Sequence, residues 1–226
     1  MNNATRFPHL TNASILADLP RDVANQPLNG ATMRSYEAGS AILTQGVEVS
    51  GMFILAHGSV EITSRNANDQ TVLIHFCRSG ENFGEIEAIG DVPAAANCIA
   101  VEQSVLLCCP TQQLLKFTEN AIFLRNLMRV SFDRLVRDNA YKFVDSFYPV
   151  EQRLCDYLHR LSVGNPVVAK TQAELAGLLG CARQTLNREL KHLRQQGIIE
   201  LEKGKIRVID RPTLGQLAEN HQRAHS

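Results

Sequence analysis

Short runs of apolar and β-branched residues fill the first half of the chain and predict β-strands. The stretches MFILAHGSVEIT (residues 52–63) and TVLIHFC (residues 71–77) are bounded by glycine or by polar clusters. The connection between them, RNANDQ, has the composition of a hairpin turn. Glycines recur between the runs and indicate a rolled or barrel-like sheet with tight corners, although a small β-sandwich fits the same pattern.

A tract without glycine or proline, residues 111–148, follows the strands and predicts a long helix. Two apolar stripes recur along it at helical spacing. One stripe can pack on the chain's own sheet and the other on the same helix of a second chain, which predicts a homodimer. The alternative is a helix buried entirely within one chain. The first stripe consists of Leu124, Leu127, Met128, Ser131 and Leu135, and the second of Phe132, Val136, Ala140, Phe143 and Phe147.

The stretch KTQAELAGLLGCARQTLNRELKHLRQQG predicts two helices joined by a tight turn. Thr171, with Glu174 three residues later, fits a capping box that opens the first helix. Gly180 permits the turn, and a second helix is predicted from about residue 182 to residue 196. These offsets are typical of a helix-turn-helix motif. The apolar positions that face inward are Leu175, Leu178 and Leu179 in the first helix and Leu186, Leu190 and Leu193 in the second.

The next stretch, IIELEKGKIRVID, alternates around Lys203 and Gly204 and predicts a β-hairpin wing. Polar side chains cover the outward face at the start of the second helix, where a recognition helix meets base edges. Arginine matches guanine and glutamine matches adenine by bidentate hydrogen bonds, so this face predicts binding to double-stranded DNA. The alternative is the solvated face of an ordinary helical bundle. The outward residues are Arg183, Gln184, Asn187, Arg188 and Lys191.

Charge is divided unevenly along the chain. The 23 Lys and Arg residues balance the 23 Asp and Glu residues, so the net charge is zero. Residues 1–149 hold 11 basic against 15 acidic side chains, a net charge of −4, and residues 150–226 hold 12 against 8, a net charge of +4. The basic half, which contains the helix-turn-helix motif, is therefore the half expected to meet an anionic partner.

The remaining composition excludes several classes of protein. The chain has no secretion signal and no run of about 18 apolar residues, so we expect a cytoplasmic protein without a membrane partner. Its six cysteines lack metal-ligand spacing and are expected to be reduced and buried. No nucleophile–base pair, Walker loop or metal motif is present, so we do not expect an enzyme. The rival class is an enzyme or channel fragment that uses the strands as a regulatory module.

The order of these parts resembles the Crp/Fnr family of bacterial transcription regulators over nearly the whole chain. The glycines of ILTQGVEVSGMFILAHGSVEI and SGENFGEIEAIG are similar to the corner glycines of that family's β-roll, and GCARQTLNREL is similar to its recognition helix. GEIEAI and IFLRNL also resemble the YeiL-like branch. The resemblance implies an α+β fold: a cyclic-nucleotide-binding-type β-roll (residues 1–110), a dimerisation helix region (111–148) and a winged helix-turn-helix domain (149–226).

The resemblance also implies roles for individual side chains. The outward residues of the second helix, Arg183 and Arg188 above all, would read bases in a palindromic operator. A second group would contact phosphates, which position the protein without specifying sequence. RNA polymerase is a further expected partner, although the loop SVGNPVVAK is short where some members present a polymerase-contacting surface. Gln184 stands where the family often has glutamate, and Glu189 occupies a usually apolar position. The expected phosphate contacts are Thr171, Thr185, Lys203 and Lys205.

The segment GEIEAIGDVPAAANCIA (residues 84–100) has the shape of a phosphate-binding turn without the charge that such a turn needs. In family members that bind cyclic nucleotides, a glutamate holds the ribose and an Arg-Ser pair holds the phosphate. Glu85 fits the first role, but Ala94 and Ala95, or the pair one residue later, stand at the second, and no Lys or Arg occurs between Arg78 and Lys116. A phosphate buried there without a cation would cost several kcal/mol, so the sequence argues against cyclic AMP and leaves the effector unknown.

Three possibilities remain for the sensor. The pocket can take a different, neutral or cationic small molecule. It can be vestigial, with constitutive DNA binding. It can also respond to redox or metal chemistry through cysteines, since His75 and Cys77 lie two residues apart on one predicted strand and point the same way.

Overall fold

The chain divides into two compact units. A computed structural model describes residues 2–65, 71–147, 149–162 and 165–219, with only the backbone given for residues 138–147. One unit comprises Met1–Arg65 and Leu73–Arg137, and the other contains the residues from Asp138 onward. Among the described helices, none combines the length with the apolar composition that a membrane crossing requires.

The first unit is built from two four-stranded sheets, with helices before the strands, after them and, in the case of α3 (Glu85–Gly90), between two of them. The sheet orders are β1-β8-β3-β6 and β2-β7-β4-β5. Its helices are α1 (Asn3–Arg6), α2 (Arg21–Gly30), α3 (Glu85–Gly90), α4 (Thr111–Thr118) and α5 (Ala121–Phe147), with 3-10 turns at Pro8–Asn12 and Ser14–Leu16. Its strands are β1 (Thr32–Tyr36), β2 (Ala41–Leu43), β3 (Gly51–His57), β4 (Ser59–Arg65), β5 (Thr71–Arg78), β6 (Asn82–Phe83), β7 (Asn97–Ala100) and β8 (Ser104–Pro110).

Two apolar cores hold this unit together. One lies between the two sheets and includes Phe53, Phe83 and Leu106, with the rings of Phe53 and Phe83 stacked 5.5 Å apart. The other joins β3 and β8 to the helices and includes Leu28 and Phe123. Two small sheets that share an apolar core confirm the rolled sheet that is predicted by the short apolar runs separated by glycines.

The predicted strand at residues 52–63 is two strands, β3 and β4, separated by Gly58. The backbone of Gly58 has a φ of +94°, which side-chain-bearing residues rarely adopt, and an added Cβ would lie 2.3 Å from Ser104 Oγ. The chain therefore turns sharply at this point and sends β4 into the second sheet. Most of the predicted hairpin connection RNANDQ lies outside the described residues.

The tract predicted as one long helix is also interrupted. Helix α4 ends at Thr118 and α5 begins at Ala121. The side chain of Asn120 accepts hydrogen bonds from the amides of Ile122 (2.9 Å) and Phe123 (3.2 Å), which satisfies the first turn of α5. The prediction of an unbroken helix is wrong here because a local cap at Asn120 competes with helix continuation.

Helix α5 has one buried face and one exposed apolar face. Phe123 and Leu127 lie in the core, so Leu127 is on a different face of α5 from Leu124 and Met128, with which the sequence grouped it. Ala140, Phe143 and Phe147 fall where side chains are not described. The exposed apolar face, called the α5 stripe below, consists of Leu124, Met128, Phe132, Leu135 and Val136, each 42–62% exposed.

The second unit contains the predicted helix-turn-helix motif and wing. Thr171 caps the first helix of the motif through a complete capping box with Glu174, and Leu186, Leu190 and Leu193 of the second helix are fully buried, as predicted. Gly180 and Gly204 lie in the two turns. The elements are α6 (Val150–Leu161), β9 (Val167–Val168), α7 (Gln172–Leu178), α8 (Arg183–Gln195), β10 (Ile199–Glu202), β11 (Lys205–Val208) and α9 (Arg211–Glu219).

Three elements of this unit were not predicted. Helices α6 and α9 pack on each other, and β9 adds a third strand to the wing. Val167 and Val168 pair with Arg207 and Ile206 in that strand, so the interpretation of SVGNPVVAK as a plain loop is wrong. Two residues are too few to show strand periodicity in the sequence.

Candidate nucleic-acid interface and effector pocket

A cationic cleft of about 610 Å³ lies between the start of α8 and the wing. Its walls carry Lys170, Arg183, Lys203 and Lys205. The carboxylate in the lining, Glu202, accepts a hydrogen bond from Arg207 at 3.0 Å, which offsets its charge. A groove lined by several cations next to a helix N-terminus attracts phosphate groups.

The cleft brings together some of the sequence-predicted site residues and not others. Gln184, Thr185 and Arg188 lie outside the cleft lining, further round α8. Gln184 and Arg188 are exposed, whereas Thr185 is half-buried. Because residues four apart share a face of a helix, Arg183 and Asn187 form one ridge and Gln184 and Arg188 the adjacent ridge. The predicted residues that line the cleft are Thr171, Arg183, Asn187, Lys203 and Lys205.

Arg188 is held by its neighbour on the helix. Its Nε and Nη2 atoms donate to Glu189 Oε1 at 3.0 and 2.9 Å. The Arg188 side chain is 76% exposed and that of Glu189 only 12%, so the carboxylate is fixed while the guanidinium can swing into solvent. The acidic residue at a position that is usually apolar thus has a structural role that the sequence pattern did not show.

The first unit contains a buried ion pair at the position where the resemblance places a ligand contact. Glu85 begins α3 and is completely buried, and its carboxylate pairs with the guanidinium of Arg134 from α5. Arg134 also donates to the backbone oxygen of Asn82. Gly84 precedes α3 with a φ of +83°, and a Cβ added there would lie 3.0 Å from the backbone oxygen of Gly51, so this position before Glu85 favours glycine.

Sequence reasoning missed Arg134 because it searched for cations only between Arg78 and Lys116. Arg134 lies 49 residues beyond Glu85. It lies seven residues, about two helical turns, after the buried Leu127, a spacing that continues the buried face of α5. The sequence feature that could have identified Arg134 is the presence of an arginine at a helical position that faces the core.

The turn that would hold a phosphate is already occupied by protein groups. Ala94 is buried among apolar side chains between the sheets. The amide of Ala95 donates to Glu87 Oε1 at 3.3 Å, so an internal carboxylate stands where a bound anion would accept that hydrogen bond. Burial, and then the charge of Glu87, raises the pKa of the nearby Cys98 thiol to about 12.

The cysteines do not have the character of reactive thiols. Five of the six are buried and Cys181 is half-buried. Burial is the largest cause that raises the pKa of each thiol, including Cys77 and Cys155, so all six are held in the unreactive protonated form. His75, which the sequence paired with Cys77 as a possible sensor, forms a hydrogen bond between its Nε2 atom and Glu81 Oε2 at 2.9 Å.

Comparison with known proteins agrees with both units. A family model for the cyclic nucleotide-binding domain matches residues 33–121, and a model for the Crp-like helix-turn-helix domain matches residues 152–217. Human cGMP-dependent protein kinase 2 is 38% identical over 97 residues, which are 42% of this chain and 13% of the kinase. This chain thus matches only a small part of the kinase.

Two bacterial relatives match most of the chain. The cyclic AMP receptor protein of Thermus thermophilus is 26% identical over 189 residues, covering 82% of this chain and 87% of the relative. The crystal structure of a Crp/Fnr-family regulator from Eubacterium rectale covers 89% of this chain and 96% of its own, with a TM-score of 0.74 at 14% identity, which shows a shared fold.

A β-roll of the cyclic nucleotide-binding type followed by a Crp-like helix-turn-helix defines a class of transcription regulators, and the predicted α+β fold class is confirmed. The chain belongs to the Crp/Fnr family. Placement in the YeiL-like branch remains a prediction.

Proposed function

We propose that this regulator binds a two-fold-symmetric operator in double-stranded DNA as a homodimer. The observation that carries the proposal is the cationic cleft between α8 and the wing. Two-fold symmetry of the protein would place two α8 helices about one helical turn of DNA apart, roughly 34 Å. The α5 stripe supplies an apolar face for the dimer contact. Domain bounds at residues 110 and 148, and RNA polymerase as a further partner, are part of the same proposal.

The contacts divide into two kinds. Arg183, Gln184, Asn187 and Arg188 project from α8 and are exposed, as base-reading side chains must be. Lys203 and Lys205 flank the tip of the wing and, among the described residues, pair with no carboxylate, so they are available for phosphates. Thr171 and Thr185 are proposed as additional phosphate contacts.

The two kinds of contact predict different mutational effects. Arg188→Ala is expected to cost about 1–3 kcal/mol on the preferred operator and to relax preference at one base pair. Lys205→Ala is expected to weaken binding to all sequences about equally and to lower the salt slope by about one. Fluorescence anisotropy on the operator and on single-base variants, over a range of salt concentrations, measures both.

Arg194 provides the matched control for these variants, because it is an exposed arginine near the far end of the same helix. Arg194→Ala should leave base preference unchanged. Equal effects of Arg188→Ala and Lys205→Ala on specificity would show that the recognition face has been placed wrongly.

We further propose that the pocket of the first unit does not respond to cyclic AMP. Arg134 is paired with Glu85, so it supplies no net charge for a phosphate, and it occupies the carboxylate that would hold the ribose. An anionic ligand would have to displace Glu87 from the Ala95 amide. A neutral or cationic ligand fits this pocket better. The raised thiol pKa values disfavour a cysteine redox sensor.

Titration calorimetry on nucleotide-free protein is therefore expected to show no saturable heat with cyclic AMP at physiological concentrations. Operator affinity should also be the same with and without the nucleotide. The Thermus thermophilus cyclic AMP receptor protein serves as a positive control for the ligand preparation. A micromolar dissociation constant coupled to tighter operator binding would show that Arg134 leaves Glu85 and pairs with the phosphate instead.

A further inference from the structure

A cluster of metal-ligating side chains lies between α6 and α8, away from the cationic cleft. Glu151 comes from the first turn of α6, and Glu189 and His192 come from α8, three residues apart on one face. One ligand atom from each lies within 4.8 Å of the other two. His192 Nδ1 and Glu151 Oε1 are 3.1 Å apart, close to the spacing of about 3.4 Å between two ligands of a tetrahedral zinc ion.

The surroundings leave this cluster with an excess of negative charge. Two carboxylates face one imidazole, and the Arg188 guanidinium that bonds Glu189 is largely in solvent, where an ion pair contributes little. Below them Cys155, fully buried, lies one turn along α6 from Glu151. Burial is the largest cause that raises the pKa of this thiol to about 12.

The imidazole has a partner on its other side. Gln196 Nε2 lies 3.0 Å from His192 Nε2, an arrangement that assigns the ring proton to Nδ1, towards Glu151. If that proton moves to Nε2, the Gln196 side chain can rotate so that its amide oxygen accepts the Nε2–H hydrogen bond. The lone pair of Nδ1 is then free to bind a metal ion, and the imidazole remains neutral. A metal-ligating histidine commonly donates its second N–H to such an outer partner.

We propose that Glu151, Glu189 and His192 form a binding site for a divalent transition-metal ion of the zinc class. Two carboxylate oxygens and one imidazole nitrogen supply three ligands, and water completes the coordination. The ion would join α6 to α8 and neutralise the charge excess of the cluster. The site uses Glu189 at the position that is usually apolar in the family.

Metal binding is linked to Arg188 because the metal ion and the Arg188 guanidinium would share the carboxylate of Glu189. Glu189 Oε1 accepts both hydrogen bonds from Arg188. A cation on Glu189 withdraws negative charge from that oxygen and repels the guanidinium, so Arg188 is released towards solvent. This step rests on the proposed function of α8, and it predicts that the metal tightens operator binding through Arg188.

Zinc titration of the chelator-treated full-length protein by calorimetry tests the site itself. Wild type is expected to bind one ion per chain, and Glu189→Gln and His192→Gln are each expected to weaken binding about tenfold or more. His57→Gln is the control, because His57 is exposed in the other unit, and it should bind as wild type does. His192 is half-exposed, so its replacement should leave the thermal unfolding curve unchanged. Equal zinc affinity in wild type and both cluster variants would overturn the proposal.

Operator binding with and without zinc tests the link. Wild-type affinity is expected to rise severalfold with zinc, and that of Arg188→Ala to stay the same. Zinc binding that leaves wild-type operator affinity unchanged would overturn the link to Arg188, whereas failure to bind any operator would count against the proposed function and not against the calorimetric site.

Discussion

Leu135→Arg is expected to remove high-affinity operator binding, although Leu135 and the recognition helix belong to different compact units. Leu135 is 58% exposed and belongs to the α5 stripe. A charged side chain there would be buried unpaired in a helix–helix contact between two chains, so the dimer would dissociate. Separate monomers bind half-sites independently and lose the effective concentration of the second site, a loss of roughly 10²- to 10⁴-fold in affinity.

Sedimentation velocity and operator anisotropy, performed on the same samples, measure the two parts of this prediction. Leu115→Arg is the matched control, because Leu115 is a comparably exposed leucine (44%) on α4, outside the stripe. It should dimerise and bind DNA as wild type does. A wild-type chain that stays monomeric over the micromolar range, or a dimeric Leu135→Arg variant with normal affinity, would refute the role of the stripe.

Arg134→Ala is expected to lower the free energy of unfolding by about 3–5 kcal/mol, because it leaves the completely buried Glu85 without its cation. The second carboxylate oxygen of Glu85 has no hydrogen-bond partner among the described residues, so no other group is placed to compensate. The double variant Arg134→Ala with Glu85→Gln removes the buried charge as well and should recover part of the loss.

Urea unfolding followed by far-ultraviolet circular dichroism suits this measurement, since the chain has no tryptophan. Arg129→Ala is the control, because Arg129 is an exposed arginine on the same helix, and its loss should change stability by less than about 0.5 kcal/mol. If Arg134→Ala were as stable as Arg129→Ala, the ion pair would not be a buried feature of the folded protein.

Features that depend on neighbouring residues could be predicted from the sequence. The capping box at Thr171, the turn at Gly180 and the buried leucines of α8 are set by offsets of three or four residues, and the structure has each of them. The wing followed from alternation around Gly204. For the same reason the outward face of α8, which carries the proposed base-reading residues, could be predicted from helical spacing alone.

Features that depend on contacts between distant parts of the chain could not be predicted from the sequence. The Arg134–Glu85 pair joins residues 49 apart, and no local pattern connects them. The charges between Arg78 and Lys116 therefore do not by themselves describe the electrostatics around Glu85, because Arg134 comes from a distant helix. The Glu151–Glu189–His192 cluster depends in the same way on how α6 packs against α8, and α6 itself was not predicted.

The most direct test of sequence-specific binding by a dimer is selection of bound duplexes from a random DNA library, with the mass of the complex measured on the selected sequence. The selected sites are expected to form an inverted repeat whose half-sites are centred about one helical turn apart, with two chains bound per duplex. No enriched sequence, or a single asymmetric motif bound by one chain, would contradict the account.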